Sequence, residues 1–138
     1  MRLTVRACGM DEDEDDEVLE AGFSEHEDGS GVAILFQRDI FAEDPWEGPE
    51  DETDLFNNSY CVTTGAGATS YGGVVSIDLS QRPAVFTLSP RVANTLKLDE
   101  VIEVDFEVPE QDWNDFKAGL RRVVTWGVPS QVPEVRGF

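Results

Sequence analysis

Basic residues and histidine are scarce in this chain of 138 residues. Ten lysines and arginines stand against 29 aspartates and glutamates, and the formal net charge is −19. A chain this acidic repels nucleic acid and anionic membranes and attracts basic partners. It also lacks a run of 18 apolar residues, and its N-terminal segment lacks the apolar stretch of a signal peptide. We therefore expect a cytoplasmic protein that binds neither nucleic acid nor membranes.

Metal-binding residue types are equally few, with two cysteines and one histidine. Cys8 and Cys61 lie in strand-like stretches and form no CxxC pair, so they are predicted to be buried thiols. His26 stands between two glutamates in a polar turn and is predicted to be a surface residue. The sequence predicts no metal site and no cofactor.

Catalytic motifs are also missing. Residues 11–22 match a calcium-binding loop in its first five positions, but Asp16 stands where the loop needs glycine. The stretch "GAGATSYGG" (65–73) begins like a dinucleotide-binding or nucleophile-elbow motif, yet a strand follows where both motifs need a helix. We predict no catalytic residues. Gly72 and Gly73 are expected to serve backbone conformation or close packing.

The negative charge of the chain is concentrated in residues 1–56. Residues 1–56 carry 19 acidic residues against three arginines, a balance of −16. The other 82 residues carry ten acidic against seven basic residues, a balance of only −3. This distribution predicts a polarised surface that attracts basic partners.

Two acidic connections hold most of this charge. Residues 9–17 include the seven-carboxylate run "DEDEDDE" (11–17), and the connection 39–58 sets aromatic residues among its acids. We predict that the run is a flexible segment that speeds association, whereas the second connection sets affinity. The alternatives are a solvated acidic run and a loop whose aromatic residues hold it to the core. The predicted partner-binding residues are Asp11, Asp13, Asp15, Glu43, Asp44, Trp46, Glu47, Asp51, Glu52 and Asp54.

Periodicity predicts the fold. Most segments alternate with period two, most clearly "VIEVDFEV" (101–108), and "GVAILFQR" (31–38) is predicted to be a central strand covered on both faces. Ser89 and Pro90 predict the start of a short helix near 90–97. Residues 109–126 have helical spacing of Trp113, Phe116 and Leu120. We expect an α+β fold, with a mostly antiparallel sheet of six to eight strands and the C-terminal helix packed on it. The predicted division is a single domain, 1–126, and a loosely held tail, 127–138.

Several short motifs resemble the immunity protein 10 family of bacterial polymorphic toxin systems. They span about residues 30–125: "LFQR" (Leu35 to Arg38), "YCV" (Tyr60 to Val62), "YGGV" (Tyr71 to Val74), "SPRVANTLKLDE" (89–100) and a closing helix with Asp112 and Trp113. The resemblance implies a small cytoplasmic protein, not an enzyme, that binds and neutralises a cognate toxin. It implies no toxin-contacting positions, and the run 11–17 is not part of its pattern. An acidic surface would fit a basic toxin such as a nuclease.

Two other functions fit an acidic α+β protein of this size. A secretion chaperone would commonly begin with a helix, whereas "RLTVRA" (2–7) is typical of a strand. A nucleic-acid mimic would place carboxylates at regular intervals across folded elements, whereas here they cluster in predicted connections.

Overall fold

The computed structural model describes residues 1–40 and 53–138, which form ten strands and three α-helices. The elements are β1 (Arg2–Val5), β2 (Ala7–Asp13), β3 (Val18–Ser24), β4 (Ala33–Asp39), α1 (Leu55–Asn58), β5 (Cys61–Thr64), β6 (Thr69–Tyr71), β7 (Val74–Asp78), β8 (Ala84–Leu88), α2 (Pro90–Leu96), β9 (Val101–Phe106), α3 (Glu110–Val124), a 3-10 helix (Pro129–Gln131) and β10 (Glu134–Arg136).

The strands form two five-stranded sheets. The antiparallel sheet has the order β2-β3-β4-β5-β6, so each strand pairs with the next along the chain. The mixed sheet has the order β1-β9-β8-β7-β10, with β1 and β10 pairing in parallel with β9 and β7. The chain passes from the mixed to the antiparallel sheet at Arg6, between β1 and β2. The predicted α+β class is confirmed.

The core lies where the two sheets and α3 meet. Phe23 on β3 is 5.4 Å from Phe86 and 5.5 Å from Phe106, which belong to the mixed sheet, and 6.0 Å from Phe116 on α3, as measured between ring centroids. Such aromatic contacts add to the stability that burial provides. Phe23 therefore joins three layers of the fold.

Helix α3 packs on the antiparallel sheet, as its sequence predicts. Phe116 and Leu120 are fully buried, and Trp113 packs against Phe106 at 4.7 Å. Acidic residues occupy its first turn and arginines its last, an arrangement that the helix dipole favours. At Gly119 an added Cβ would lie 2.5 Å from the Cβ of Met10, so glycine lets α3 approach β2 closely.

Helix α2 begins as predicted. Ser89 is its N-cap, and its Oγ accepts a hydrogen bond from the backbone N–H of Val92 at 3.3 Å. Pro90 is the first helical residue, where a missing N–H costs no helical hydrogen bond. The helix ends at Lys97, whose φ of 58° is left-handed.

Four expectations need correction. The described residues form ten strands in two sheets, instead of six to eight strands in one sheet. Residues 9–13, expected in a connection, belong to β2. β4 is central, but only one of its faces is buried. Residues 134–136, expected in a loose tail, form β10 on β7, and Val128 is buried.

Candidate partner-binding surface

One end of the antiparallel sheet gathers the acidic segments. The β2–β3 turn (14–17) lies there, and so does the end of β4. The backbone N–H of Ile40 donates to the carbonyl oxygen of Glu17 at 3.0 Å. The start of the second acidic connection is thus fixed beside the seven-carboxylate run. We call this region, formed by residues 13–17 and 39–40, the acidic end.

The seven-carboxylate run is a strand end followed by a turn. Residues 11–13 pair with 18–20 of β3. The Asp13 carboxylate then accepts hydrogen bonds from the backbone N–H groups of Asp15 and Asp16, at 3.0 and 3.1 Å. Short side chains of this kind close turns by replacing backbone acceptors. The turn therefore holds Glu14, Asp15 and Asp16 exposed at a defined place.

Glu12 differs from its neighbours because its charge is compensated. Its Oε1 lies 2.7 Å from Nη2 of Arg122 on α3. Arg38 is only 7% exposed and donates through Nη1 to the carbonyl oxygen of Arg122 at 2.9 Å. Its guanidinium also lies 5.4 Å from the ring centre of Trp126. A cation at a helix C-terminus is stabilising, so Arg38 and Glu12 fix the end of α3 beside the acidic end.

Helix α1 contacts β6, the strand at the other edge of the same sheet. Asp54 is its N-cap, accepting hydrogen bonds from the backbone N–H and the Nδ2 of Asn57 at 3.4 and 2.9 Å. Phe56 is 68% exposed and packs on Tyr71 of β6 at 5.2 Å. Exposed aromatic residues are typical of binding sites. The predicted site did not include this pair, although the aromatic residues among the acids of the second connection pointed to it.

The structure locates only part of the predicted partner-binding set. Asp11 and Asp13 lie on β2, Asp15 in the turn and Asp54 at the start of α1. The remaining members lie outside the described residues and stay a prediction: Glu43, Asp44, Trp46, Glu47, Asp51 and Glu52.

The glycines of "YGGV" have structural roles, as predicted. Gly72 and Gly73 have φ values of +62° and +78°, which side chains with a Cβ rarely adopt. An added Cβ at Gly73 would collide with the Val92 side chain, and the carbonyl oxygen of Gly73 accepts from the N–H of Ser89 at 2.8 Å. Gly73 therefore joins the start of β7 to the start of α2.

Tyr60, like Gly73, joins separate elements of the fold. Its buried hydroxyl donates to the carbonyl oxygen of Gln131 at 2.8 Å and accepts from the N–H of Val74 at 3.0 Å. Burial raises the pKa of this phenol well above its usual value. The hydroxyl joins the chain just before β5 to the mixed sheet and to the 3-10 helix.

The described residues contain no group of three side chains that could hold a metal ion. Burial, with the nearby carboxylates of Asp112 and Asp115, raises the pKa of the Cys8 thiol to about 12. Burial also raises the pKa of the Cys61 thiol. Both cysteines are half-buried and free, and His26 is exposed in a turn. No described helix is both long enough and apolar enough to span a membrane.

Clustered charge of one sign and exposed aromatic residues are both typical of protein-binding surfaces. The family model for immunity protein 10 matches residues 4–114, and the chain belongs to this family. Immunity proteins of this family are not enzymes and neutralise toxins. The match includes the end of β1, all of β2 and the run 11–17, which the sequence resemblance had left out. No curated protein and no solved structure matches the chain.

Proposed function

We propose that this immunity protein binds and neutralises a cognate toxin whose contact surface is basic. Membership of the family supports the neutralising role. The basic character of the toxin is inferred from the acidic end, where the hydrogen bond between Ile40 and Glu17 holds the end of β4, with Asp39, beside the seven-carboxylate run. That bond is the observation that carries the proposal.

The two arginines beside the acidic end already have partners within the protein. Arg122 forms an ion pair with Glu12, and Arg38 is buried with its guanidinium over the ring of Trp126. The exposed carboxylates of the turn form no ion pair with a described residue. Carboxylates held at one end attract a basic protein over a distance of about one Debye length, roughly 10 Å at moderate salt.

The immunity protein would neutralise the toxin by covering the toxin's basic surface. A toxin that acts on a phosphate-rich substrate needs a basic surface, and an acidic protein on that surface excludes the substrate. This mechanism needs no reaction in the immunity protein itself.

Co-expression with the product of the neighbouring gene, as the candidate toxin, tests the proposal. We expect the chain to restore growth and to co-purify with that toxin. Affinity should fall steeply between about 0.05 and about 0.5 M NaCl, because salt screens interactions between exposed charges. Failure to restore growth would refute neutralisation. An affinity indifferent to salt would refute the basic contact surface.

A further inference from the structure

The two faces of the antiparallel sheet have different surroundings. Its inner face packs against α3 and the mixed sheet through buried residues such as Leu19, Phe23 and Phe36. On its outer face, the side chains of β2, β3 and β4 are exposed or half-exposed except for Ser24. By strand alternation and register the outer face consists of Ala7, Gly9, Asp11, Asp13, Val18, Glu20, Gly22, Ser24, Ala33, Leu35, Gln37, Asp39, Cys61, Thr63, Thr69 and Tyr71.

This outer face carries four acidic side chains and no lysine or arginine. Asp11 and Glu20 are cross-strand neighbours and form no ion pair with a described residue. Glu20 instead accepts a hydrogen bond from the neutral amide of Gln37 at 2.9 Å. The charged side chains of the outer face are therefore all negative.

The outer face of the mixed sheet shows the opposite arrangement. There, Arg2 lies 2.9 Å from Asp105, and Arg136 lies 3.4 Å from Glu134. The acids of that face have basic neighbours in the same protein. A positive partner gains more by docking on the antiparallel sheet than on the mixed sheet.

A shallow depression of about 490 Å³ lies next to the acidic pair. Its floor is made by small residues and one leucine: Ala7, Gly9, Gly22, Ala33 and Leu35. A Cβ added at Gly9 would meet nothing within 4 Å, so the space above this residue is open. At Gly22 the space is occupied by the Leu35 side chain. The floor is apolar and has room for a large side chain.

From this combination we infer that the outer face of the antiparallel sheet is where the cognate toxin docks, an inference that rests on the proposed function. The occupant is a toxin segment that carries lysine or arginine beside a large apolar side chain. The apolar side chain fills the depression, and the cations lie over Asp11 and Glu20. An apolar anchor surrounded by complementary charge is the usual arrangement of a tight interface. The Phe56–Tyr71 pair borders the same face at its other edge.

Gly9→Trp tests the docking surface with little risk to the fold. The position is open and has no positive φ, and an aromatic residue is favoured in a strand. The matched control is Thr4→Trp, at an exposed position of β1 in the mixed sheet. We expect Gly9→Trp to weaken binding of the neighbouring-gene toxin by about tenfold or more, and Thr4→Trp by less than about twofold. Circular dichroism and thermal unfolding confirm that both variants are folded.

A second measurement uses a probe of defined chemistry, the peptide Lys-Lys-Trp-Lys-Lys. Titrated into the ¹⁵N-labelled protein, it should shift the backbone amide signals of Gly9, Gly22 and Leu35, and Gly9→Trp should abolish these shifts. Shifts confined to the turn 14–17 or to the mixed sheet would overturn the inference.

The outcomes separate the two proposals. If the wild-type protein neutralises the toxin and Gly9→Trp does so equally well, the docking surface is wrong and the proposed function stands. If the wild-type protein does not bind the toxin, the proposed function fails, and the peptide titration alone decides whether this face selects basic, aromatic segments.

Discussion

Leu120 occupies the centre of the buried face of α3, and its side chain is inaccessible to solvent. Leu120→Ala should lower the free energy of unfolding by about 2 to 5 kcal/mol, through lost burial and the cavity left behind. Urea unfolding followed by circular dichroism measures the difference. The control is Asn114→Ala on the exposed face of the same helix, which should change stability by about 0.5 kcal/mol or less. Equal effects of the two substitutions would contradict the packing of α3.

The hydroxyl of Tyr60 satisfies two backbone groups at once. Tyr60→Phe should cost about 1 to 3 kcal/mol, because it leaves a buried N–H and a carbonyl oxygen without their partner. Tyr71→Phe is the matched control, since it also removes a phenol oxygen but keeps the ring against Phe56. Thermal unfolding of both variants distinguishes this bridging role from a general effect of losing a hydroxyl.

Gly73 combines a positive φ with a close approach to Val92. Gly73→Val should therefore destabilise the fold. Backbone strain alone should cost about 1 to 3 kcal/mol. Gly9→Ala, at an open position without positive φ, should differ from the wild type by no more than about 1 kcal/mol. A Gly73→Val protein that unfolds at the wild-type temperature would show that the turn adapts.

At the level of single elements, the acidic residues of the β2–β3 hairpin lead to a prediction about the rate of toxin association. Glu14, Asp15 and Asp16 are exposed in its turn, whereas Glu12 is engaged by Arg122 and Asp13 closes the turn. Replacing the three exposed acids with their amides should slow toxin association at low salt and change it little at high salt. The dissociation rate should stay nearly constant. Stopped-flow mixing at two salt concentrations measures both rates.

The control for the hairpin removes the same number of charges elsewhere. Glu100, Glu107 and Glu110 are exposed and lie near the ends of β9 and at the start of α3. Their amide variants should associate at nearly the wild-type rate. Equal slowing by both sets would mean that net charge alone matters, and that the position of the hairpin does not.

The elements differ in how well their sequences predicted them. β9 alternates cleanly and α3 repeats apolar residues at helical spacing, so local patterns were sufficient. β2 was missed at residues 9–13, because glycine and acidic residues are disfavoured in strands and only pairing with β3 places them in one. β10 was missed because it has three residues and pairs in parallel with a distant strand.

For the molecule as a whole, the sequence predicted the polarity of charge better than its location. Part of the excess of acids in residues 1–56 lies at the acidic end and on the outer face of one sheet. The depression could not be predicted, because it depends on Gly9 of β2 pairing with Gly22 of the neighbouring strand β3 and on Leu35 lying over Gly22. Strand register decides such contacts, and one sequence without a fold does not specify it.

The passage of the chain between sheets at Arg6 has a consequence for the order of folding. β2 to β6 pair with their immediate neighbours, whereas Leu3 of β1 pairs with Val104 of β9. Pairing across so long a loop is slow, because closing the loop costs entropy before the contact forms. During synthesis the hairpins can therefore assemble before the N-terminal strand finds its partner. In refolding with pulsed hydrogen exchange, amides of β3 and β4 should be protected earlier than those of β1.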